Sequence, residues 1–389
     1  MPQPVIAAVG SSDIGRTELP GRDLFSVAIA EAFEGLPDPA ELADAVYVGN
    51  QSESYEHQIM QGTLMAEWAG LGMVPAERVE GCAAAGALAL RHAVKDVRNG
   101  EHDGVLACGV EKMTAGGTGG ATDALSAAFD RALEQRSGVT APSQYALLAN
   151  RYLHETEATE TDLARIAVKN HRNAAENPRA QFPKEIDVDT VLDSQAVAPP
   201  LKLFDCAPVG DGAAAVLVTT AEIADELGVD AVSIDGSGAA ANNIAVAERD
   251  MTDIQGAAAA AETAYGEAGL APDDIDIAEV HDAFTVCEAL LSEALGFAPD
   301  GKGYQSHRPP EERDDGWTDV ELSTSGGLKA RGHPIGATGI LQAVEAYEQL
   351  TGRAGDRAVP DADHALLLNE GGVADAVTVV HVLSREVAQ

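Results

Sequence analysis

The sequence is poor in basic residues, in cysteine and in aromatic residues. Lys and Arg together number 25 against 63 Asp and Glu, and the formal net charge is −38 at pH 7. A surface of this sign repels phosphate backbones and anionic headgroups, which argues against nucleic acid or a membrane as the main partner. No apolar run reaches the ~20 residues of a membrane-spanning helix, and the first residues lack a signal peptide pattern. We therefore expect a soluble, cytoplasmic protein.

The four cysteines, Cys82, Cys108, Cys206 and Cys287, show no paired spacing and no chelating pattern with histidine. We therefore predict a reduced cytosolic setting and no metal site. The acidic residues are spread along the whole chain, and only seven of the 25 bases are lysine. We interpret this as adaptation to high salt, in which ions screen the repulsion between carboxylates. An ordinary acidic enzyme is the alternative.

Apolar strands alternate with helical segments in the first part of the chain. Candidate strands span residues 5–9, 45–49 and 104–110, and candidate helices span 23–33 and 60–69. This alternation is typical of α/β proteins with a mostly parallel sheet. Between residues 111 and 200 the alternation stops, and glycine-rich, proline-bearing and polar helical stretches take its place. We interpret that segment as an inserted loop domain that covers a site.

The second part of the chain repeats the first. Strand patterns at 232–238, 275–280 and 375–382, with a glycine-rich loop at 322–339, follow in the same order as their counterparts. Such a repeat predicts a pseudo-twofold molecule whose loops converge on one cleft, where strand carboxyl ends gather ligands. One half would comprise residues 1–110 and 201–228, the inserted domain 111–200, and the other half 229–389.

One cysteine lies where a strand gives way to a helix. Cys82 is flanked by Gly81 and Gly86, and a helix pattern runs from Ala83 to about Asn99. Unpaired N–H groups and the helix dipole favour a thiolate there, which would lower the thiol pKa from its ordinary value of ~8.5. Cys82 is therefore our candidate nucleophile. The alternative is a small apolar residue packed under the start of a helix.

Three further motifs follow strands at equivalent positions. They are His281-Asp-Ala-Phe284, the glycine-rich loop Gly326-Gly-Leu-Lys-Ala-Arg-Gly-His-Pro-Ile-Gly-Ala-Thr-Gly339, and Asn369-Glu-Gly-Gly372. His281 and His333 are candidates for proton transfer because imidazole titrates near neutral pH, although each could be a structural residue. A cluster of bases at 169–184, including Lys169 and Arg172, could attract a phosphate-rich ligand or could be a solvated helix face.

These motifs resemble the thiolase family. Gly81-Cys82-Ala83, His281-Asp-Ala-Phe284 and above all Gly332-His-Pro-Ile-Gly-Ala-Thr-Gly339 carry the resemblance. The chain is most similar to archaeal acetyl-CoA acetyltransferases and sterol-carrier-protein-type thiolases, which have His-Asp where bacterial and mitochondrial thiolases have Asn-Glu. Its acidity would suit a haloarchaeal member. The resemblance implies a duplicated α/β/α/β/α layered fold with an inserted loop domain over coenzyme A.

The resemblance also implies roles for individual residues. Cys82 would be acylated by the thioester, His333 would accept its proton, and His281 would bind the thioester oxygen of the second acetyl group. His281 would thus contribute to one oxyanion hole, and backbone N–H groups of Cys82 and near Gly371 would form a second one. As in relatives, Ser237 and Gly238 could contact the pantetheine arm of coenzyme A, and a simple turn is the alternative. Lys169 and Arg172 are candidate coenzyme A contacts because of the positive cluster.

This sequence departs from the family at one important position. Many thiolases have a second cysteine where this chain has Asn369, and some relatives have a substitute where it has Ala283. An amide cannot titrate, so the second proton transfer falls to His281 or again to His333. Cys287 is six residues past His281 and would lie off its helical face.

The expected function is reversible condensation of two acetyl-CoA molecules, with coenzyme A thioesters as substrates and no further cofactor. The resemblance implies a homodimer or a dimer of dimers, an association with a small zinc-containing OB-fold protein and 3-hydroxy-3-methylglutaryl-CoA synthase, and a place in the mevalonate pathway. The alternatives are a 3-ketoacyl-CoA thiolase of broader chain length, a ketoacyl-synthase-like condensing enzyme, and a non-catalytic subunit that binds acyl-CoA or lipid.

Overall fold

The computed structural model describes residues 2–386, apart from the side chain of Thr118. The strands are β1 (Pro4–Ser11), β2 (Ala45–Gly49), β3 (Ala76–Val79), β4 (Gly104–Lys112), β5 (Ala196–Ala198), β6 (Leu201–Lys202), β7 (Asp211–Thr220), β8 (Val232–Ala241), β9 (Ile277–Glu279), β10 (Glu321–Leu322), β11 (His364–Gly371) and β12 (Val377–Arg385). The helices are α1 (Gly21–Ala32), α2 (Pro39–Leu42), α3 (Gln61–Trp68), α4 (Ala85–Asn99), α5 (Gly117–Ser126), α6 (Ala141–Glu155), α7 (Glu160–Ala175), α8 (Val188–Leu192), α9 (Ala221–Leu227), α10 (Gln255–Ala268), α11 (Thr285–Ala294) and α12 (Thr338–Leu350).

Ten strands form one sheet whose two halves have the same order. The order is β10-β9-β11-β12-β8-β1-β7-β4-β2-β3. When the strands of each half are numbered along the chain, both halves have the order third, second, fourth, fifth, first, counted from the outer edge of the sheet to its middle. In each half the second strand is parallel to both its neighbours, and the remaining pairs are antiparallel. Within the described part of the sheet, the halves are joined by the pairs Val5↔Ser233 and Ile6↔Val232 of β1 and β8. The predicted duplicated α/β fold is confirmed.

Helices α4 and α12 contact each other near their N-termini. Glycines make this approach possible. A Cβ on Gly86 would lie 2.7 Å from the Gly336 carbonyl oxygen, and one on Gly339 would lie 2.4 Å from the Ala87 nitrogen. Both distances are far below van der Waals contact. The contact brings the turn that carries Cys82 next to the loop that carries His333.

The segment between β4 and β7 contains α5 to α8 and the two-strand sheet of β5 and β6. Helix α7 begins with a capping box in which Thr159 and Asp162 satisfy each other's backbone N–H groups. The helix packs against α11 and the glycine-rich loop of the second half. In the described part of the chain, no helix combines the length and the apolar character that a membrane crossing requires.

Candidate active site

Cys82 lies at a sharp turn between β3 and α4. Its φ is +52°, in the left-handed region that residues with a side chain rarely adopt. Gly371 at the end of β11 packs directly against this turn. A Cβ on Gly371 would lie 2.0 Å from the Gly81 carbonyl oxygen and 3.3 Å from the Cys82 Cβ. The turn therefore depends on a glycine from the opposite half of the molecule.

The Cys82 thiol lies at the wall of a cavity and is partly exposed. Desolvation by burial raises its pKa to about 11, outweighing the N–H groups of Gly372 and Ala83 that favour the thiolate; the carboxylates of Glu80 and Glu111 raise it further. The expected lowering of this pKa by the helix N-terminus is therefore wrong. The resting group is a thiol, and a neighbouring base has to take its proton before it can attack.

The cavity has a volume of about 200 Å³ and brings Cys82, His281 and His333 together. Most of the remaining lining is apolar and comes from both halves and from the inserted segment. It includes Met113, Leu125, Phe129, Tyr145, Ala207, Pro208, Ala283, Phe284 and Ile335. The rings of Tyr145 and Phe284 stack with centroids 4.3 Å apart. The chamber is therefore mostly apolar, with the polar candidates gathered at one wall.

His333 is held through its Nδ1 atom. Thr338 Oγ1 lies 2.7 Å from Nδ1, and the same hydroxyl donates to the Pro334 carbonyl at 3.1 Å. Because the hydroxyl proton is used on Pro334, its oxygen accepts the Nδ1–H of His333. A neutral imidazole carries one N–H, so Nε2 is left with a lone pair. Burial and the neighbouring His281 and Arg331 hold the pKa of His333 well below its ordinary value, which keeps the ring neutral.

His281 follows β9 and meets His333 edge to face. The ring centroids are 5.1 Å apart at an angle of 81°. Burial and the charge of Arg331 lower the His281 pKa to about 3, so this ring is also neutral at pH 7. The Nδ2 atom of Asn369 lies 3.2 Å from its Nδ1 atom. The three strand ends singled out in the sequence thus meet at one place.

Asp282 was not predicted to have a role, although it adjoins His281. Its carboxylate accepts the Leu328 N–H at 2.7 Å and the Asn170 side-chain amide at 2.7 Å. A Cβ on Gly327 would lie 2.3 Å from Asp282 Oδ2. Burial, with the nearby Glu288, raises the Asp282 pKa to about 7. This residue ties the loop of His333 to α7 of the inserted segment.

Glu111 is a second buried acid that the sequence reasoning missed. It accepts the Asn50 amide at 2.8 Å, the Gln51 N–H at 2.7 Å and the Gly336 N–H at 3.0 Å. Burial raises its pKa to about 8. An acid that directly follows the apolar stretch 104–110 was the available signal. Glu111 connects the end of β4 to the loop three residues beyond His333.

The structure does not bring the predicted coenzyme A contacts Lys169, Ser237 and Gly238 to the cavity. Lys169 is buried, lies 3.0 Å from the Glu288 carboxylate and donates to the Leu322 carbonyl. Ser237 accepts from Arg91 at 2.8 Å. A Cβ on Gly238 would meet the Ala260 carbonyl oxygen at 1.8 Å, so Gly238 is a packing residue. Arg172 is exposed on α7.

The predicted oxyanion hole also needs a correction. The backbone N–H of Cys82 donates to the Glu80 carboxylate at 2.7 Å and is therefore occupied. The N–H groups that face the Cys82 sulfur belong to Ala83 and Gly372. Across residues 2–386, no three His, Cys, Asp or Glu side chains are grouped as metal ligands. The site thus offers a thiol, two neutral imidazoles with different hydrogen-bond partners, and two backbone N–H donors.

Comparisons with known families match nearly the whole chain. A family model described as "Thiolase, N-terminal domain" matches residues 5–222, and one described as "Thiolase C-terminal domain-like" matches residues 236–385. The chain is 43% identical over 366 residues to an acetyl-CoA acetyltransferase of Methanothermobacter thermautotrophicus. The aligned residues cover 94% of this chain and 94% of that protein. It is 40% identical to the acetyl-CoA acetyltransferase of Methanocaldococcus jannaschii, over 93% of this chain and 94% of that protein.

A more distant relative and a solved structure extend the comparison. The benzoylsuccinyl-CoA thiolase subunit BbsB of Thauera aromatica is 35% identical over 89% of this chain and 88% of its own. The solved structure of an Ltp2-ChsH2(DUF35) aldolase matches with a TM-score of 0.80, covering 98% of both chains at 22% identity. At that identity the structural likeness supports the fold alone.

Proposed function

The chain belongs to the thiolase family of acyltransferases, and we propose that it reversibly condenses two acetyl-CoA molecules into acetoacetyl-CoA and coenzyme A. The observation that carries the proposal is the meeting of Cys82, His281 and His333 in one mostly apolar cavity. Both archaeal relatives described above are named acetyl-CoA acetyltransferase. A thiol nucleophile with a neutral imidazole beside it is the pair that acyl transfer requires.

In the first half of the reaction, the lone pair on His333 Nε2 takes the Cys82 proton as sulfur attacks the thioester carbon. The carbon–sulfur bond to coenzyme A breaks, and His333 returns the proton to the departing thiolate. The N–H groups of Ala83 and Gly372 are the candidate donors to the transient oxyanion. Such donors are each worth ~2.7–4 kcal/mol of transition-state stabilisation.

In the second half, a further acetyl-CoA loses a proton from its α-carbon, and the resulting carbanion attacks the acetyl group on Cys82. His281 hydrogen-bonds the thioester oxygen, where the negative charge develops. A carbon–carbon bond forms, and the bond to the Cys82 sulfur breaks. The mostly apolar lining of this cavity of about 200 Å³ disfavours water beside the reactive carbanion.

Coenzyme A binding is proposed to involve Arg172 on the outer face of α7. The positive cluster seen in the sequence is largely neutralised, since Arg179 is paired with Glu31 and Glu348, and Lys169 with Glu288. Arg172 and Lys184 remain exposed. Either could contact a phosphate group at modest energetic gain, because exposed ion pairs are worth ~0–1 kcal/mol.

A thiolase of broader chain length is the second candidate. The cavity is larger than an acetyl group needs, and the relative from Thauera aromatica is named for a much larger thioester. The two candidate functions are separated by measuring kcat/KM for thiolysis of 3-ketoacyl-CoA substrates of increasing chain length at high salt. A maximum at acetoacetyl-CoA supports the first candidate, and a maximum at a longer chain replaces it with the second.

The chemistry itself is tested on Cys82. We expect Cys82→Ala to form no acetyl-enzyme and to lose all condensation, and we expect acetyl-CoA to protect wild-type Cys82 from iodoacetamide. A fully active Cys82→Ala variant would exclude the mechanism. Transfer from an acyl carrier protein but not from acetyl-CoA would point to a ketoacyl synthase. Absence of any acyl-enzyme in the wild type would point to a non-catalytic binding subunit.

We further propose a cytoplasmic homodimer formed at the outer edge of the first half. Strand β3 is an edge strand, and such edges pair readily with another strand. Exposed apolar side chains near it are Ile59, Met60, Trp68 and Met73.

Because the structural neighbour is named as an aldolase with a DUF35 component, we propose by extension a small OB-fold zinc protein as a partner of this chain. A further proposed partner is 3-hydroxy-3-methylglutaryl-CoA synthase, in the mevalonate pathway.

A further inference from the structure

The orientation of the buried Gln342 side chain is fixed by three backbone carbonyls. Its Nε2 atom donates toward the carbonyl oxygens of Glu279, Val280 and Leu368, at 3.2, 3.2 and 3.1 Å. Carbonyl oxygens can only accept hydrogen bonds, so this end of the amide has to be the NH₂ group. The Oε1 atom of Gln342 therefore points the other way, toward Asn369.

That orientation in turn fixes Asn369. Gln342 Oε1 can only accept, and it lies 3.0 Å from the Nδ2 atom of Asn369. One Nδ2 proton is used on Gln342, and the second points at His281 Nδ1, 3.2 Å away. The Oδ1 atom of Asn369 is buried without a hydrogen-bond partner among the described residues. An unpaired buried carbonyl lowers the stability of the folded state, so this arrangement is destabilising by itself.

The chain of amides decides where the proton of His281 lies. Because Nδ1 accepts from Asn369, it carries the lone pair, and the single proton of the neutral ring is on Nε2. His333 has the opposite arrangement, with its proton on Nδ1 toward Thr338 and its lone pair on Nε2. The two rings of the cavity are thus opposite tautomers, one a donor and one an acceptor.

We propose that Asn369, oriented by Gln342, locks His281 as a hydrogen-bond donor and leaves His333 as the base for both proton transfers. The inference rests on the proposed function and identifies the group that removes the α-proton. Among the described residues that line the cavity, the other titratable groups are Cys82, Cys206 and Tyr145. Cys82 is acylated at that stage, and burial raises the pKa of both Cys206 and Tyr145, so neither supplies a base at neutral pH.

The proton balance closes with a single base. In acylation, His333 Nε2 takes the thiol proton and gives it to the departing coenzyme A thiolate, so the ring is neutral again. In condensation, Nε2 takes the α-proton, and the enolate oxygen accepts a hydrogen bond from His281 Nε2–H. The new carbon–carbon bond forms, the carbon–sulfur bond to Cys82 breaks, and His333 protonates the released sulfur. Asn369 is a positioning residue that touches none of the reacting atoms.

The first test compares two substitutions of His281. Asparagine offers an N–H donor and cannot act as a base, whereas alanine offers neither. We expect His281→Ala to lower the condensation rate by about 10² to 10³, the usual loss for one oxyanion donor, and His281→Asn to lower it by less than about tenfold, or ~1.4 kcal/mol. Acetyl-Cys82 formation should persist in both. Equal, near-complete loss of condensation in both variants would overturn the inference and identify His281 as the base.

The second test removes the lock with Asn369→Leu, which has a similar size. We expect slower condensation with acetyl-Cys82 formation retained. In the His281→Asn background, Asn369→Leu should lower the condensation rate much less, because asparagine has no tautomer to lock. An equal loss of condensation rate in both backgrounds would indicate a purely structural role for Asn369 and would contradict the proposal. Circular dichroism and thermal unfolding of all four proteins check that they are folded.

The tautomer can also be observed directly. Long-range ¹H–¹⁵N correlation spectra of histidine-labelled protein, assigned with the His281→Asn variant, should show His281 protonated on Nε2 and His333 on Nδ1. A His281 signal with the proton on Nδ1 would overturn the proposal. Failure of the proposed thiolase chemistry is distinguishable from this, since a protein without that chemistry forms no acyl-Cys82 at all.

Discussion

Thr338 Oγ1 accepts the Nδ1–H of His333 at 2.7 Å while donating its own proton to the Pro334 carbonyl. We expect Thr338→Val to slow acetyl-Cys82 formation by about tenfold, since one buried hydrogen bond is worth ~0.5–1.5 kcal/mol. Thr338→Ser keeps the hydroxyl and serves as the control. Rapid-quench measurement of acylation checks this, and equal rates for valine and serine variants would show that the hydroxyl does not orient the base.

Glu80 is expected to restrain the reactivity of Cys82. Its negative charge adds to the burial that raises the thiol pKa to about 11, and its carboxylate accepts the Cys82 N–H. Glu80→Gln keeps the acceptor oxygen and removes the charge, so we expect a lower thiol pKa and faster alkylation by iodoacetamide at pH 8.

The control for that experiment is Glu77→Gln, on the exposed side of β3. The pH dependence of alkylation gives the thiol pKa in each protein. In the wild type, the rate should rise with pH across the whole range up to that pKa, because only the thiolate reacts. An unchanged profile in Glu80→Gln would show that burial alone sets the pKa.

Gly371 is expected to tolerate no side chain. A methyl group there would lie 2.0 Å from the Gly81 carbonyl oxygen, and neither backbone can move without displacing the Cys82 turn. We expect Gly371→Ala to lower the free energy of unfolding by about 1–3 kcal/mol and to abolish acylation. The matched control is Gly266→Ala on the exposed face of α10, where a Cβ meets nothing within 4 Å. That change should stabilise the protein by ~0.5–1 kcal/mol.

Lys169 and Arg172 lie on the same helix and should respond to substitution in different ways. Lys169→Met leaves the Glu288 charge buried without its partner, which typically costs about 3–5 kcal/mol of stability. Arg172→Met removes an exposed charge and should raise the KM for acetyl-CoA with little change in unfolding. Urea unfolding and steady-state kinetics on both proteins check this. A stable Lys169→Met protein with a raised KM would return Lys169 to the coenzyme A site.

Salt should stabilise the protein strongly. With a formal charge of −38, unscreened repulsion between surface carboxylates opposes the compact state, and the screening length falls from about 30 Å at 0.01 M to about 3 Å at 1 M. We expect the thermal unfolding midpoint to rise steadily with KCl concentration. Sucrose is the uncharged control, and an equal rise in sucrose would contradict a screening effect.

The sequence was most informative where a motif fixes backbone geometry. The motifs that carry Cys82, His281 and His333 predicted side chains that share one cleft, and the repeated strand pattern predicted two halves with the same strand order. The motif Asn369–Gly372 was expected to follow a strand, whereas β11 continues to Gly371 and so places Asn369 within the sheet. That placement gives Asn369 the fixed direction on which its contact with His281 depends.

Properties set by the surroundings of a group could not be read from its neighbours in sequence. The helix N-terminus suggested a lowered pKa for Cys82, but burial by β11 and the inserted segment has the larger effect. Lys169 appeared to be part of a positive surface, yet its partner Glu288 lies far along the chain. The hydrogen-bonding of Gln342 likewise depends on the carbonyl groups of Glu279, Val280 and Leu368, which only the folded chain assembles.

The glycine contact between α4 and α12 ties reactivity to the integrity of the whole molecule. Sulfur and base are supplied by different halves, and they meet only while the two helix ends remain in contact. Loosening of either half would therefore inactivate the enzyme. Heat inactivation should then coincide with the loss of global structure, and no partly melted but working species should accumulate.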